Sequence, residues 1–449
     1  MSASIVEAIA QIKRNVAECL TAASIVEACG EAHYRWRERQ LGPAQTVWAF
    51  MLQVLHGNAA CEHVVRLAQL SCTASAYCAA RSRLPLAVLR RLLEQTCQAT
   101  RGAQRTARWH GHRTFFADGT SFSMPDVDPL RAHFGQPGQQ QLGCGFPVAH
   151  VVAMFDAATG LLLSALAAPL RSHDMSQVAQ LHPELRPGDV LVADRGFTSY
   201  AHLALLLQRK LHAVLRVHQR QLVSFRRDRR LSGRQPRGTV AKVAASRLIR
   251  KLGRYDQIVD YVKPTTRPAW MAPAAYAALP ETIRVRELRY RTRTRGCRTR
   301  VITLVTTLLD AEQYPLVEVA GLYRRRWEIE TNFAHLKTTM GMDVLHCRSV
   351  EGVLKELTVF ALIYNLARLV MLAAAREQSQ PLGQLSFVDA LRWLAEACHR
   401  QVAVQLHVNP TRPNRLEPRV RKRRPKEYPV MKQPRRQLQQ QSLRQSVTT

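Results

Sequence analysis

Acidic residues are scarce in this chain: 33 Asp and Glu stand against 65 Lys and Arg, a formal charge of +32 over 449 residues. Solubility requires no such excess, which points to a polyanionic partner, nucleic acid first and an acidic membrane second. The membrane reading lacks its usual segments. The opening residues, MSASIVEAIAQIKRN, hold no long apolar run of the kind a signal peptide carries. The most apolar stretch, Thr358 to Ala375, contains Asn365 and Arg368 and follows Lys355 and Glu356, the pattern of a buried helix rather than a span. Cysteine pairing is missing too: none of the ten cysteines forms a C-x-x-C pair. Their scatter from Cys19 to Cys398 suits reduced, packed thiols, and the Cys61/His63 and Cys398/His399 pairs have no second pair to complete a zinc tetrahedron. The expectation is a cytosolic protein without membrane contact.

Strand patterns are absent from residues 1–104, which read as a domain of short helices: Ser4 to Leu20, a second from Ser24, and a third opened by Gly42-Pro43. Within it CEHVVRLAQLSCTASAYCAARSRLP resembles two helices about a turn, with Tyr77, Arg81 and Arg83 on the second, as in a helix-turn-helix or any helical bundle. From Arg113 the pattern changes. TFFADGTSFSM and the hairpin VAHVVAMFDAATG-LLLSALAAPL read as three strands, followed by a helix from Met175, the strand DVLVADRGF, the helix SYAHLALLLQRK and the strand LHAVLRVH. Three strands, helix, strand, helix, strand is the order of a ribonuclease-H-like mixed sheet, an α/β fold whose first part is placed at 105–218.

Residues 219–305 are dense in Arg and strand-like, a basic β-rich insertion. In IRVRELRYRTRTRGCRTR, the residues Arg289, Arg291, Arg293 and Arg295 alternate with Leu288, Tyr290, Thr292 and Thr294, which on a strand aims four guanidiniums at one face, for DNA contact or as a solvated basic edge. Residues 306–376 return to helical patterns as the second part of the core. Residues 377–449 add one more helix and a tail rich in Pro, Arg and Gln with too little apolar content to fold independently.

One helix of that second part carries chemistry. In GLYRRRWEIETNFAHLKTTMG, on an α-helix with Tyr323 at zero, Arg326 falls at about 300°, Glu330 at about 340° and Lys337 at about 320°. Leu322, Ile329, Phe333 and Leu336 form an apolar strip beside them. Two more acids invite pairing with Glu330: Asp118 in FFADGTSF and Asp194 ending VLVADRGF. In a ribonuclease-H-like order the first and fourth strands are neighbours, so the two Asp residues converge. Three gathered carboxylates repel one another unless they hold hard divalent cations. Two Mg²⁺ ions about 3.5 to 4 Å apart activate a nucleophile and stabilise a leaving oxygen in phosphodiester chemistry. Taken singly, Asp-Gly is most often a turn, Asp-Arg-Gly after a strand can simply cap the next helix, and the stripe can be a solvent-exposed ion-pair face.

YRRRWEIETNFAHLK has the Tyr, two residues, Arg, three residues, Glu, six residues, Lys spacing of the bacterial insertion-sequence-four transposases, and DGT and DRGF resemble that family's two Asp motifs. The resemblance, over about residues 113–376, implies a DDE enzyme of the bacterial cytoplasm and nucleoid. Asp118, Asp194 and Glu330 would hold Mg²⁺, two ions with Mn²⁺ as substitute. Water would nick one strand at the element's end, and the freed 3′-hydroxyl would attack the other strand to give a hairpin that a second water reopens. Tyr323, Arg326 and Lys337 would hold terminal phosphates. Some relatives stack a flipped base on a Trp of the insertion, where Trp270 is the only one here. Implied partners are the terminal inverted repeats, target DNA and a second copy at synapsis. The alternatives are a DNA-binding descendant that has lost cutting, and another ribonuclease-H-like nuclease acting on branched DNA.

Overall fold

The computed structural model describes residues 20–37, 41–98, 108–138, 143–170, 172, 174–218, 221, 223–226, 246–292, 301–395, 408, 433–434, 437–438 and 440–441. The first expected helix, all but Leu20, most of the tail, and Arg293 and Arg295 lie outside these residues.

Among the described residues five helices come first: α1 (Ala22–Glu31), α2 (Pro43–Leu55), α3 (Cys61–Leu67), α4 (Ala74–Arg83) and α5 (Leu86–Gln98). Their starts follow local chemistry. Thr21 and Thr73 accept backbone N–H bonds at the mouths of α1 and α4, and Pro43 occupies the first turn of α2, where no donor is needed. α3 and α4 are the two helices about a turn, but α4 packs inward. Tyr77 is fully buried, and Arg81 lies 4.0 Å over the Phe50 ring while donating to Gln53. Of Tyr77, Arg81 and Arg83, Arg83 alone is exposed.

Next come β1 (Thr114–Ser123), α6 (Asp128–Phe134), β2 (Val148–Asp156), β3 (Leu162–Pro169), α7 (Asp174–Leu181), β4 (Val190–Ala193), α8 (Tyr200–Gln208) and β5 (His212–Arg216). β1 runs antiparallel to β2 and parallel to β4, and β4 runs parallel to β5. The β2–β3 hairpin turns at Gly160, whose φ of +71° suits glycine; a Cβ there would collide with the Arg368 guanidinium at 1.9 Å. Strands β6 (Ser246–Gly253) and β7 (Asp256–Val262), helix α9 (Pro273–Ala277), and strands β8 (Thr282–Arg291) and β9 (Val301–Thr306) follow. β9 pairs antiparallel with β5, so the basic insertion continues the main sheet, giving nine strands in the order β3-β2-β1-β4-β5-β9-β8-β7-β6. Inside the insertion, Arg286 is fully buried and gives both sides of its fork to Asp256, while Glu287 accepts from Gln257 and Tyr261.

The chain then forms α10 (Leu316–Arg325), α11 (Glu328–Ala334), a π-helical turn (His335–Thr339), α12 (Val350–Glu377) and α13 (Phe387–Ala395). α12 contains the apolar stretch seen in the sequence. It is long and apolar enough to cross a bilayer, but most of it is buried inside the protein. Its Asn365 explains the polar residue in that run: the side chain bonds the backbone of Leu162 through both its oxygen and its nitrogen and also reaches Thr96. One apolar cluster joins α1, α2, α5 and α12 to Phe116, Phe122 and Phe155 on one face of the sheet. A second joins α7 and α8 to Phe115, Ala117 and the insertion on the other.

Candidate active site

Register puts two acids side by side. Ala117 of β1 pairs with Ala193 of β4, and the next residue on each is Asp118 and Asp194. Neighbouring strands stand about 4.8 Å apart, so the two carboxyl groups leave the sheet together. β4 ends at Ala193; Asp194 is extended and opens a 3-10 turn at Arg195–Phe197.

The signature segment lies across this point, but not as one continuous helix. Backbone bonds tighten to the i−3 pattern at Arg326, Trp327, Ile329 and Glu330, which separates α10 from α11. Met340 then donates to His335, five residues back, closing the π turn. Tight turns advance side chains beyond the ideal 100° step and a wide turn sets them back. The expected single stripe is therefore replaced by three short pieces, each docked separately. From α10, the Tyr323 hydroxyl donates to Asp194 Oδ1 at 3.0 Å. At the junction, Arg326 Nη1 donates to Asp118 Oδ2 at 2.9 Å. From the π turn, Lys337 Nζ donates to Ser121 O at 2.9 Å and lies 3.3 Å from Thr120 Oγ1. Glu330 sits exposed on α11.

The electrostatics centre on Arg326. Burial disfavours its charge, but Tyr323, Asp118, Asp194 and Glu330 together outweigh that and raise its pKa, so one guanidinium feels all three acids. For Asp194, burial also works against the charged form. Arg326, the Arg195 N–H, Arg216 and the Tyr323 hydroxyl more than offset it and hold the carboxyl below its ordinary range. Tyr323 is pushed far up, chiefly by burial. Burial draws Lys337 down against the pull of Asp343. Behind Asp194, the 3-10 turn is anchored by a histidine pair. His202 Nδ1 lies 2.6 Å from the Phe197 carbonyl, so in the neutral ring it donates there and leaves Nε2 to accept from His182 Nε2 at 2.9 Å.

Arg326 is 4 % exposed, between the rings of Tyr323 and Trp327. Its guanidinium is turned onto Asp118. The arginines expected on one face of the insertion do not share it. Arg289 is half-buried over the Phe225 ring at 4.7 Å, donating to Val223 O and Thr303, so it does not join Arg291 on an open face; Arg291 is exposed. Trp270 is partly buried against the apolar cluster that joins α7 and α8 to the insertion. Arg216 was missed. Its Nη1 lies 3.8 Å from Asp194 Oδ1, and the signal was available: it follows Leu215, the partner of Ala193, just as Asp194 follows Ala193.

The family model described as Transposase DDE domain matches residues 109–366, a span holding Asp118, Asp194, Arg216, Tyr323, Arg326, Glu330 and Lys337. The chain belongs to the insertion-sequence-four family of DDE transposases. It is 27% identical over 382 residues to the transposase InsG of insertion sequence element IS4 from Escherichia coli K12, covering 79% of this chain and 78% of that protein. The putative transposase InsZ of the same organism is 28% identical over 190 residues, 40% of this chain and 62% of InsZ. A piggyBac transposase synaptic complex with hairpin DNA overlaps at a TM-score of 0.41 and 11% identity, over 87% of this chain and 78% of that one, a likeness on which nothing here rests. As a DDE transposase the protein acts on DNA, cleaving it and transferring strands, and it depends on divalent metal. The carboxylate oxygens of Asp118 and Asp194 are hard donors that suit such a cation. Among the described residues, however, no three His, Cys, Asp or Glu side chains are gathered closely enough to hold one metal ion. The transposase draws its acids onto Arg326 and Tyr323 instead.

Proposed function

We propose that this transposase cuts at the terminal inverted repeats of an insertion sequence and joins the released 3′ ends to target DNA, using Asp118, Asp194 and Glu330 as its catalytic acids on a ribonuclease-H-like sheet. The observation that carries the reading is the register: Asp118 and Asp194 leave adjacent parallel strands at equivalent positions, and Arg326 interacts with both and with Glu330. Those three carboxylates would hold Mg²⁺, or Mn²⁺ in its place, and two bound ions would supply an activated water or 3′-hydroxyl and a stabilised leaving oxygen. Tyr323 fixes the orientation of Asp194. Lys337, docked on β1 beyond Asp118, and exposed Arg291 of the insertion carry DNA phosphate contacts. Residues 105–218 and 306–376 make the catalytic core, 219–305 the insertion, 1–104 the helical N-terminal unit and 377–449 the helix and basic tail. Two copies pair when two ends are brought together.

The test is a nicking and strand-joining assay with Mg²⁺ on linear DNA carrying the imperfect inverted repeats that flank the coding region. Wild type cuts at the repeat ends, while Asp118→Ala, Asp194→Ala and Glu330→Ala bind the same DNA without cutting. An active Asp194→Ala protein would remove the triad from the reading.

A further inference from the structure

We infer that Cys61 and Cys78 are a modification site: a small hydroperoxide oxidises them to a disulfide that ties α3 to α4, and a dithiol reverses it. The inference does not depend on the proposed acids. Cys61 is the first residue of α3 and Cys78 lies within α4, 17 positions on. The Cys78 thiol donates to Cys61 Sγ at 3.1 Å, so bonding the two asks only for a small closure of the side chains. Both line a cavity of about 360 Å³, which Phe50, Arg81, Cys347 and Lys355 also line, between the helical unit and the start of α12. Cys78 is exposed and Cys61 half-buried, so a small oxidant reaches the pair from solvent.

Arg81 gives the pair its chemistry. It stands one turn after Cys78 on α4 and is held over the Phe50 ring at 4.0 Å and on Gln53 Oε1 at 2.6 Å. Its Nη1 lies 3.7 Å from Cys61 Sγ and its Nη2 3.0 Å from Cys347 Sγ. A fixed cation beside a thiol favours the thiolate, which is the nucleophile in thiol oxidation. Exposed Cys78 meets the peroxide first. Its thiolate attacks the O–O bond, takes one oxygen to become a sulfenic acid, and releases the other as hydroxide. Burial, with Cys78 adding to it, holds the Cys61 thiol above its ordinary range against the pull of Arg81. Oxidation of Cys78 removes that thiol's share and leaves the pull of Arg81 in place. Cys61 then gives its proton to the hydroxide and attacks the sulfenic sulfur; the S–S bond forms, the S–O bond breaks, and the oxygen leaves as water once protonated. Two thiols and one hydrogen peroxide become one disulfide and two waters. Cys347 is on the other arm of the fork, and burial pushes its thiol up to about 12, so it stays reduced.

The bond would fasten a lightly held helix to a firmly held one. α3 has seven residues and buries only Val64, in a small cluster with Ala49 and Tyr77. α4 is anchored on two sides: Tyr77 donates to Gln53 of α2 at 2.9 Å, and Ser82 O accepts from Lys355 of α12 at 2.8 Å. Helices with few buried apolar contacts open most readily, so α3 has the most to gain.

The experiment treats the reduced full-length protein with hydrogen peroxide, blocks the remaining thiols with iodoacetamide and reads the unreduced digest by tandem mass spectrometry. A Cys61–Cys78 cross-link that dithiothreitol removes is expected. In the oxidised protein, hydrogen exchange across residues 61–67 should slow by roughly tenfold, and the melting temperature should rise by about 5 °C. Cys61→Ser should leave Cys78 as a sulfenic acid that dimedone captures, whereas Cys78→Ser should leave Cys61 a thiol. No cross-link, or a cross-link from Cys61 to Cys72 or Cys347 in its place, overturns the inference, as does dimedone capture at Cys61 in Cys78→Ser. A cross-link that leaves exchange in α3 unchanged overturns the tie between the helices. The wild-type readouts need no substitution, so they decide the matter even if a serine variant fails to fold.

Discussion

Among the described residues two buried arginines, Arg286 and Arg326, bond aspartates, and they are built differently. Arg286, in the insertion, is fully buried; it gives Nε and Nη2 to Asp256, and Nη1 lies 2.7 Å from Tyr314 O and 3.3 Å from Asp310 O. Arg326, at the acids, makes one bond to Asp118 and leaves Nε without a partner among the described residues. A guanidinium has five donors in a fixed fork, so full use of the fork fixes an arginine in place and partial use lets it move. The first is architecture, tying β7, β8 and the segment before α10 together. The second stands beside Asp118 and Asp194 with its fork only partly used.

The largest test of that contrast is kinetic. Asp194→Ala should lower cleavage by roughly a thousandfold or more, about 4 kcal/mol of barrier, with little change in the melting temperature of the metal-free protein. Thermal unfolding and nicking on the same preparation check both halves. Arg286→Met should do the opposite. Breaking a buried, fully bonded pair costs about 3 to 5 kcal/mol, and the loss should appear in the denaturation midpoint before any change in cleavage by the remaining folded protein. If Arg286→Met were tolerated like a surface change, the two pairs would not differ as described.

A third test uses pH. Burial lowers His182 to about 3 and His202 to about 4, from an ordinary value of 6.5. The unfolded chain takes up protons below 6.5 that the folded pair refuses, so this contribution is whole above that pH and is lost as pH falls toward 4 and below, by up to about 1.4 kcal/mol per group per unit. Asp194, whose folded pKa is depressed, adds its own loss only below 3.8. Urea titrations between pH 7 and pH 4 should show the decline, and His202→Phe should flatten it. The smallest effect expected is at the insertion. Arg291→Gln should lower the salt slope of DNA binding by roughly one unit, whereas Arg289→Gln should leave the slope alone and cost some stability, since its guanidinium is spent on Val223 O and Thr303.

What the sequence disclosed follows from the range of the forces involved. β1 to β5 were legible because apolar alternation and turn residues are local, and Asp118 and Asp194 followed once the strand order was assumed. The break at Arg326–Trp327 was not legible. The segment has ordinary helix formers throughout, and its kinked form goes with contacts to Asp194, Asp118 and β1, all more than a hundred positions away. Arg289 was misread for the same reason: strand alternation places it correctly beside Arg291, but the covering Phe225 and Val223 O come from a segment 66 positions upstream. Arg216 required only register, which the sequence could have supplied.

The long reach of these contacts also orders events during synthesis. Arg326 meets Asp118 across 208 positions, β9 must return beside β5 after the whole insertion, and α12 is bonded to α5 through Asn365 and Thr96 across 269. Contacts so distant in sequence form late, and a ribosome adds only about 5 to 20 residues per second. A nascent chain therefore carries Asp118 and Asp194 for many seconds before Tyr323, Arg326 and Glu330 exist. During that interval it has basic surface enough to touch DNA and no assembled centre with which to cut it.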